Sequence, residues 1–184
     1  MRITGGVAKG LQLKFPAKSQ IRPSTDRVRE AIFSILASLV GGWSRVLDLY
    51  AGTGALGIEA LSRDADWADF VDQQPRCCAI IKQNLEKAGF GQKSHVYCCS
   101  VSKALAFLDS SYDIIFLDPP YSDATIGDFL VQLDNSKCMK DESLVVIPHA
   151  SRSPLAESYG RLHSIKERRH GDTCISIYCR EVVS

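Results

Sequence analysis

No stretch of this 184-residue sequence approaches the roughly 20 apolar residues that a membrane-spanning helix needs, and its opening, Met1-Arg2-Ile3-Thr4-Gly5-Gly6, lacks the apolar core of a signal peptide. Membrane attachment is therefore not expected, and a cytoplasmic location is the simplest expectation. The seven cysteines are odd in number, and none stands in a Cys-x-x-Cys spacing that could hold zinc. They read as reduced structural thiols, and no metal is expected. There is no internal repeat and no low-complexity tract, so the chain is a succession of single elements. It is also too short for two complete domains. With 45% apolar and 23% charged residues it has the composition of an ordered globular protein rather than a disordered one.

The net charge of +1 hides an asymmetry along the chain. Residues 1–45 carry eight Lys/Arg against two Asp/Glu, residues 46–160 carry nine against sixteen, and residues 161–184 carry five against three. An acidic middle suits a cationic small molecule, whereas a basic N-terminal segment suits a polyanion such as nucleic acid.

Residues 1–21, with Gly5-Gly6, Gly10 and alternating Leu11 and Leu13, read as a small hairpin-like basic arm preceding a domain over 22–184. From Ser24 or Thr25 as N-cap, Val28, Ala31, Ile32, Ile35, Leu36 and Leu39 recur at helical spacing until Gly41-Gly42. Arg27, Arg29 and Glu30 fall on the opposite face, with Arg22 just ahead. Short apolar runs then alternate with helical patterns: strands over 45–50, 67–72, 94–99, 113–118 and 143–148, and helices over 55–63, 75–88, 101–108 and 124–134. That order predicts an α/β fold with a mostly parallel sheet. Two further strands, 161–168 and 173–180, flank Gly171-Asp172, a turn that favours an antiparallel hairpin at the C-terminal end.

The first predicted strand runs into Asp48-Leu49-Tyr50-Ala51-Gly52-Thr53-Gly54, and Gly52, Gly54 and Gly57 form a G-x-G-x-x-G. Nicotinamide and flavin enzymes use the same spacing to set a pyrophosphate on a helix N-terminus. Asp48 separates the readings: a carboxylate there repels a pyrophosphate and attracts the ammonium of a methionine moiety, which favours S-adenosylmethionine. The second strand ends at Asp72, followed by Gln73, where an acidic side chain can accept both ribose hydroxyls. The position that would meet an adenine falls at Ser100.

The fourth strand delivers Asp118-Pro119-Pro120-Tyr121 to the carboxyl edge of the sheet, where ligands of open α/β sheets bind. The prolines fix their own φ and hold the preceding residues extended. The Asp118 carboxylate and Pro119 carbonyl can then accept the two hydrogens of an exocyclic amine, whose own lone pair is delocalised and poorly nucleophilic. Tyr121 offers a face on which an extruded base can stack. The tetrapeptide leaves guanine, adenine and a protein amide open as acceptors.

These residues resemble the RsmD-type methyltransferases. The likeness runs through Arg2-Ile3-Thr4-Gly5-Gly6, Arg22-Pro23-Ser24-Thr25-Asp26-Arg27-Val28-Arg29-Glu30, Gly57-Ile58-Glu59-Ala60-Leu61, the Asp118–Tyr121 motif and Gly171-Asp172-Thr173. The resemblance implies a Rossmann-like class I methyltransferase with a seven-stranded sheet, an antiparallel C-terminal hairpin and a small N-terminal extension. It implies transfer of methyl from S-adenosylmethionine to a guanine N2 of 16S ribosomal RNA, with S-adenosylhomocysteine as product. The partner would be small-subunit ribosomal RNA, within an assembled or assembling 30S particle, and the protein a monomer. By the same resemblance Asp48, Gly52 and Gly54 hold the methionine part and Asp72 the ribose, Asp118 to Tyr121 hold the guanine amine, and Arg22, Thr25, Arg27 and Arg29 face the RNA. The sequence departs from the family at Ser100, where Asp or Asn is frequent, and at Pro148-His149, where Glu-His is frequent. A surface or strand-end histidine is the expectation for His149.

An adenine-N6 or protein-amide methyltransferase shares the two central motifs but not the N-terminal match. A nicotinamide dehydrogenase is opposed by Asp48 and by the lack of room for a substrate domain, and a non-catalytic RNA-binding module would need neither Asp118 nor its prolines. Calorimetric titration separates the cofactor classes: S-adenosylhomocysteine should bind and NADH should not. Tight NADH binding with no response to S-adenosylhomocysteine would refute the methyl-transfer reading.

Overall fold

The computed structural model describes residues 1–15, 25–119 and 126–182. The chain forms helix α1 (Asp26–Leu39), strand β1 (Arg45–Leu49), α2 (Ala55–Ser62), β2 (Trp67–Asp72), α3 (Pro75–Ala88), β3 (Ser94–Cys98), α4 (Val101–Phe107), β4 (Tyr112–Leu117), α5 (Ile126–Asp134), β5 (Met139–Ala150), β6 (Ser158–Tyr159), β7 (Leu162–His170) and β8 (Thr173–Arg180). The strands make one sheet in the order β3-β2-β1-β4-β5-β8-β7-β6. The first five are parallel, and β8, β7 and β6 continue the sheet antiparallel. This is the expected α/β sheet with its C-terminal hairpin, plus one strand: β6 has only two residues, too few to show a periodicity.

β5 is longer than its apolar core. The run Lys140-Asp141-Glu142-Ser143 hides its first third in the sequence, and the pairing with β4 shifts between Tyr112↔Met139 and Ile114↔Leu144. Glu142 sits at φ 64° within this irregularity.

Alternate residues of each parallel strand feed opposite faces of the sheet. Val46, Phe70, Phe116, Val146 and Ile177 pack under α1, α2 and α3. Leu47, Leu49, Val71, Leu117, Val145 and Tyr178 pack under α4 and α5. α1 starts at Thr25, whose hydroxyl accepts from the Val28 N–H at 3.3 Å. It ends at Leu39, close to the start of β1, and Ser44 and Arg45 donate their N–H groups to Asp113 at the start of β4. About 21 Å of helix therefore carries Thr25 and Arg27 back from the amino edge of the sheet towards its carboxyl edge.

The N-terminal segment is sealed onto this body. Arg2 bridges Gln12, and Ile3 and Leu13 are buried against the helices. Glu59 of α2, fully buried, accepts from the Thr4 N–H at 2.8 Å, the Thr4 hydroxyl at 2.7 Å and Arg63 Nε at 2.9 Å. Arg29 of α1 lies 3.9 Å from Glu59, pairs with Asp26 at 2.7 Å and donates to the Arg2 carbonyl. One carboxylate thus ties the N-terminal segment, α1 and α2 together. Removing Glu59 would leave the Thr4 N–H and hydroxyl without their acceptor and the buried Arg29 with Asp26 as its remaining carboxylate, a loss of about 3–5 kcal/mol for breaking a buried pair. Glu59→Ala should lower the unfolding free energy by that amount in urea titration, and adding Arg29→Met should recover part of the loss; no recovery would place the role of Glu59 elsewhere.

Candidate active site

The order of strands reverses between β1 and β4, and Leu49 pairs with Leu117 at the carboxyl edge there. Crevices at such a switch point are where open α/β sheets hold ligands. Asp48 and Asp118 reach it from β1 and β4, and Asp72 from the end of β2.

The loop leaving β1 is shaped by backbone that ordinary residues resist. Tyr50 adopts φ 59°, and its ring meets Phe129 edge-on at 5.8 Å. Gly54 caps α2 at φ 77°, and a Cβ there would lie 3.1 Å from Ile81 and 3.3 Å from Phe70. Gly57 has ordinary φ but no room, since a Cβ would fall 2.3 Å from the Phe70 ring. The first gives the turn its hand; the second lets α2 press onto β2.

Two carboxylates fasten this loop. Asp72 accepts from the Gly52 N–H at 2.9 Å and, through its other oxygen, from the Gln74 N–H at 2.8 Å. Asp48, 1% exposed, accepts from the Gly57 N–H at 2.9 Å. Gly57 is in the first turn of α2, so Asp48 occupies the helix terminus that a pyrophosphate would need. Burial, chiefly, raises the Asp48 pKa well above the usual carboxylate range, and Asp118 and Asp72 add to the effect. Among the described residues no ion pair reaches any of the three. An acidic crevice with no counter-charge among the described residues fits a ligand that carries positive charge and rejects a polyphosphate.

Asp118 sits half-buried beyond β4, and its N–H points to the Leu49 carbonyl at 3.5 Å. Burial pushes its carboxyl up to about 7. A carboxylate of that basicity is a stronger hydrogen-bond acceptor than an exposed one and can take a proton near neutrality. Pro119 is buried beside it; Pro120 and Tyr121 lie outside the described residues, as does Arg22.

The other sequence candidates fall in distinct places. Ala51 donates its N–H to the Val71 carbonyl at 3.0 Å, and Thr53 is buried with its carbonyl accepting from Asn84 at 3.0 Å. Gln73 is exposed just past β2. Ser100 caps α4, accepting from the Lys103 N–H at 3.3 Å, at the same edge of the sheet. Thr25 is the α1 cap, and Arg27 is exposed beside it. Arg29 is the correction. Its side chain is 0% exposed and engaged with Asp26, Arg2 and Glu59, so it braces α1 from within instead of facing an RNA. Helical spacing put it on the polar side; the N-terminal segment and α2 cover that side.

His149 stands at the end of β5, as expected, but it is buried at 6% exposure rather than on the surface. Its Nδ1 meets the Ala150 and Ser153 carbonyls at 3.2 and 3.0 Å, and Nε2 lies 2.9 Å from the Ser176 hydroxyl. Carbonyls only accept, so Nδ1 carries a proton, while Nε2 faces the Ser176 hydroxyl, which also donates towards Glu167 at 3.4 Å. Glu167 and Cys174 adjoin this histidine, with one ligand atom of each of the three inside 4.8 Å of the others. Both ring nitrogens are engaged by protein groups, so the cluster acts as a brace between β5, β7 and β8.

Sequence reasoning missed Asn84. Fully buried on α3, it donates to the carbonyls of Lys14 and Thr53 and accepts from the Lys14 N–H at 2.7 Å, linking the N-terminal segment to the cofactor loop. Its only sequence signal is an amide among the apolar positions Ile81 and Leu85.

Fold and site together define a Rossmann-like, S-adenosylmethionine-dependent methyltransferase. Residues 1–179 match the family described as Conserved hypothetical protein 95, and the chain belongs to that family. It is 34% identical to YlbH of Bacillus subtilis over 97% of this chain and 98% of that protein. It is 31% identical to ribosomal RNA small subunit methyltransferase D of Escherichia coli over 98% of this chain and 90% of that one. Among solved structures, yhhF from Escherichia coli superposes with a TM-score of 0.86 at 29% identity, covering 100% of this chain and 99% of that chain. A hypothetical protein of Thermus does so at 0.82 and 28%, covering 99% of each.

The Asp118 pKa carries a sign that can be checked. Protonation turns one carboxyl oxygen into a donor and removes the charge that makes the group a strong acceptor and a proton sink, so that acceptor strength is lost as pH falls through about 7. The kcat/KM for the methyl acceptor should fall with unit slope below that pH, and Asp118→Asn should lose activity together with the slope. An unchanged acidic limb in Asp118→Asn would assign the titration to another group.

Proposed function

We propose that this protein transfers the methyl group of S-adenosylmethionine to the exocyclic N2 amine of a guanine in small-subunit 16S ribosomal RNA. Asp118, raised in basicity and placed beside two further carboxylates at the switch point, carries this reading. The family membership and the relative named ribosomal RNA small subunit methyltransferase D support the choice of RNA.

Asp48 and Asp72 hold the β1–α2 loop from below, and Gly52 and Gly54 let ligand approach its backbone closely. The bound cofactor supplies an electrophilic methyl on a sulfonium, and its positive charge is what the acidic crevice lacks. The Asp118 carboxylate accepts one N–H of the guanine amine and the Pro119 carbonyl the other, which fixes the nitrogen in line and favours its pyramidal form as the new C–N bond grows. No base is needed before attack. The methylated nitrogen then carries a positive charge and releases its proton to Asp118 or to water. Pro120 and Tyr121 belong to the same amine site, with Tyr121 as the face on which the extruded base stacks. Arg22, Thr25 and Arg27 belong to the RNA entrance. The protein works as a cytoplasmic monomer on an assembled or assembling 30S particle.

Incubation with labelled S-adenosylmethionine and small ribosomal subunits lacking the modification, followed by nucleoside mapping, tests the assignment. Label is expected in N2-methylguanosine, and Asp118→Ala should lower turnover on the order of 100-fold or more while leaving S-adenosylmethionine affinity nearly unchanged. Label in N6-methyladenosine, or only in protein, would refute the guanine assignment, and equal losses in turnover and affinity would make Asp118 part of the cofactor pocket.

A further inference from the structure

Ten of the twelve arginines of this protein fall into two groups. Arg2, Arg29, Arg45, Arg63, Arg161 and Arg180 each pair with a carboxylate. Among the described residues Arg27, Arg152, Arg168 and Arg169 pair with none, and all four are exposed. Topology puts three of these at one place. β5 runs to the carboxyl edge and ends at Ala150, which pairs with Thr173 at the start of β8. His170, the last residue of β7, pairs with the same Thr173, and the Ser151 N–H donates to the Asp172 carbonyl at 2.9 Å. The β7–β8 turn and the segment after β5 are therefore bound together at the edge where Asp118 lies.

Arg168 is paired with Ile175 and Arg169 with Cys174, so the two project from opposite faces of the hairpin. Lys166, opposite Ile177, shares the Arg168 face, which is the face that carries α1. Arg169 is anchored at the tip by its Nε bond to the Gly171 carbonyl at 2.9 Å. The intervening Glu167 points to the other side, towards Ser176 at 3.4 Å and Cys174. β7 is three strands from β4, which at ~4.8 Å per strand is about 14 Å along the edge. That is about four base rises of ~3.4 Å.

We propose that Arg152, Arg168 and Arg169 form a second phosphate-binding surface for the RNA substrate, on the flank of Asp118 opposite the cofactor strands β1–β3. Guanidiniums that pair with no carboxylate are easily recruited at a surface, since no internal ion pair has to break before they meet a phosphate. With Arg27 at the start of α1, they let the substrate backbone be gripped beyond the target base and not only at the N-terminal entrance. This assignment rests on the RNA reading given above; the N-terminal residues by themselves would leave the C-terminal half of the edge without a partner.

The test compares the whole protein with an Arg152→Ala/Arg168→Ala/Arg169→Ala variant, with the matching triple Arg→Lys variant, and with Lys137→Ala, which alters an exposed cation ahead of β5 at the amino edge. Binding to small-subunit ribosomal RNA is measured across a salt series, and methyl transfer and S-adenosylhomocysteine affinity are measured alongside. The triple alanine variant should bind RNA on the order of tenfold or more weakly at low salt, with the slope of log affinity against log salt reduced by about 2 for the loss of three contacts. Its turnover at saturating RNA and its S-adenosylhomocysteine affinity should match the wild type; the lysine variant should keep the slope, and Lys137→Ala should behave as wild type. A triple alanine variant with wild-type RNA affinity and slope overturns the proposal, as does an equal loss in Lys137→Ala. Wild-type protein that binds RNA through these arginines but methylates no guanine would instead overturn the functional reading alone.

Discussion

The bond from the Gly57 N–H to the buried Asp48 carboxylate fixes everything above it. It sets the first turn of α2 over the end of β1, and the loop between them has its left-handed residues at Tyr50, Gly52 and Gly54 because both ends are held. With Asp72 holding Gly52 from the neighbouring strand, the loop becomes a rigid wall. The same bond decides the class of ligand. A carboxylate at a helix N-terminus, taking one of its N–H groups, repels a phosphate there, and a buried carboxylate with no cation among the described residues favours a ligand that brings one. The glycine spacing shared with dinucleotide enzymes therefore serves a different purpose here.

In the proposed reaction Asp118 follows the same logic. Its basicity comes from burial, and among the described residues no cation pulls it back into the ordinary range. An acceptor stiffened by the following proline and short of partners of its own is what a weakly nucleophilic amine needs: hydrogen bonds that strengthen as charge develops on nitrogen. On that proposal, positioning falls to Asp118-Pro119 and to the two carboxylates that anchor the cofactor loop.

Much of this was readable in the chain. Alternating apolar runs and helical patterns gave the element order to within a residue or two at β2, α3 and β8, because each segment there buries one clean face. The carboxylates at strand ends were readable because a charged residue closing an apolar strand has few structural uses. What escaped did so for physical reasons. β6 is too short to carry a period, and the start of β5 is polar where it bulges beside β4. Arg29 was assigned to solvent because helical periodicity knows only the helix; the N-terminal segment lying across it and Glu59 reaching up from α2 are tertiary facts. Asn84 and His149 share that cause: each satisfies backbone carbonyls of segments far away or folded back, which no local window contains.

The uneven charge along the sequence acquires its meaning in three dimensions. The acidic middle of the chain supplies the strand-end carboxylates at the centre of the carboxyl edge. The basic ends come to that edge by opposite routes, the N-terminal one because α1 runs back from the start of β1, the C-terminal one because β7 ascends beside β8 to the Gly171-Asp172 turn. Part of the N-terminal charge is consumed internally, as Arg2 and Arg29 are held by Asp26 and Glu59, so the number of basic residues in a segment overstates the field it presents. Among the cations left over are the exposed arginines near that edge. An acidic crevice flanked by free guanidiniums attracts a small cation into its centre and a polyanion across its rim, and a methyl transfer from a sulfonium to a nucleic acid requires both at once.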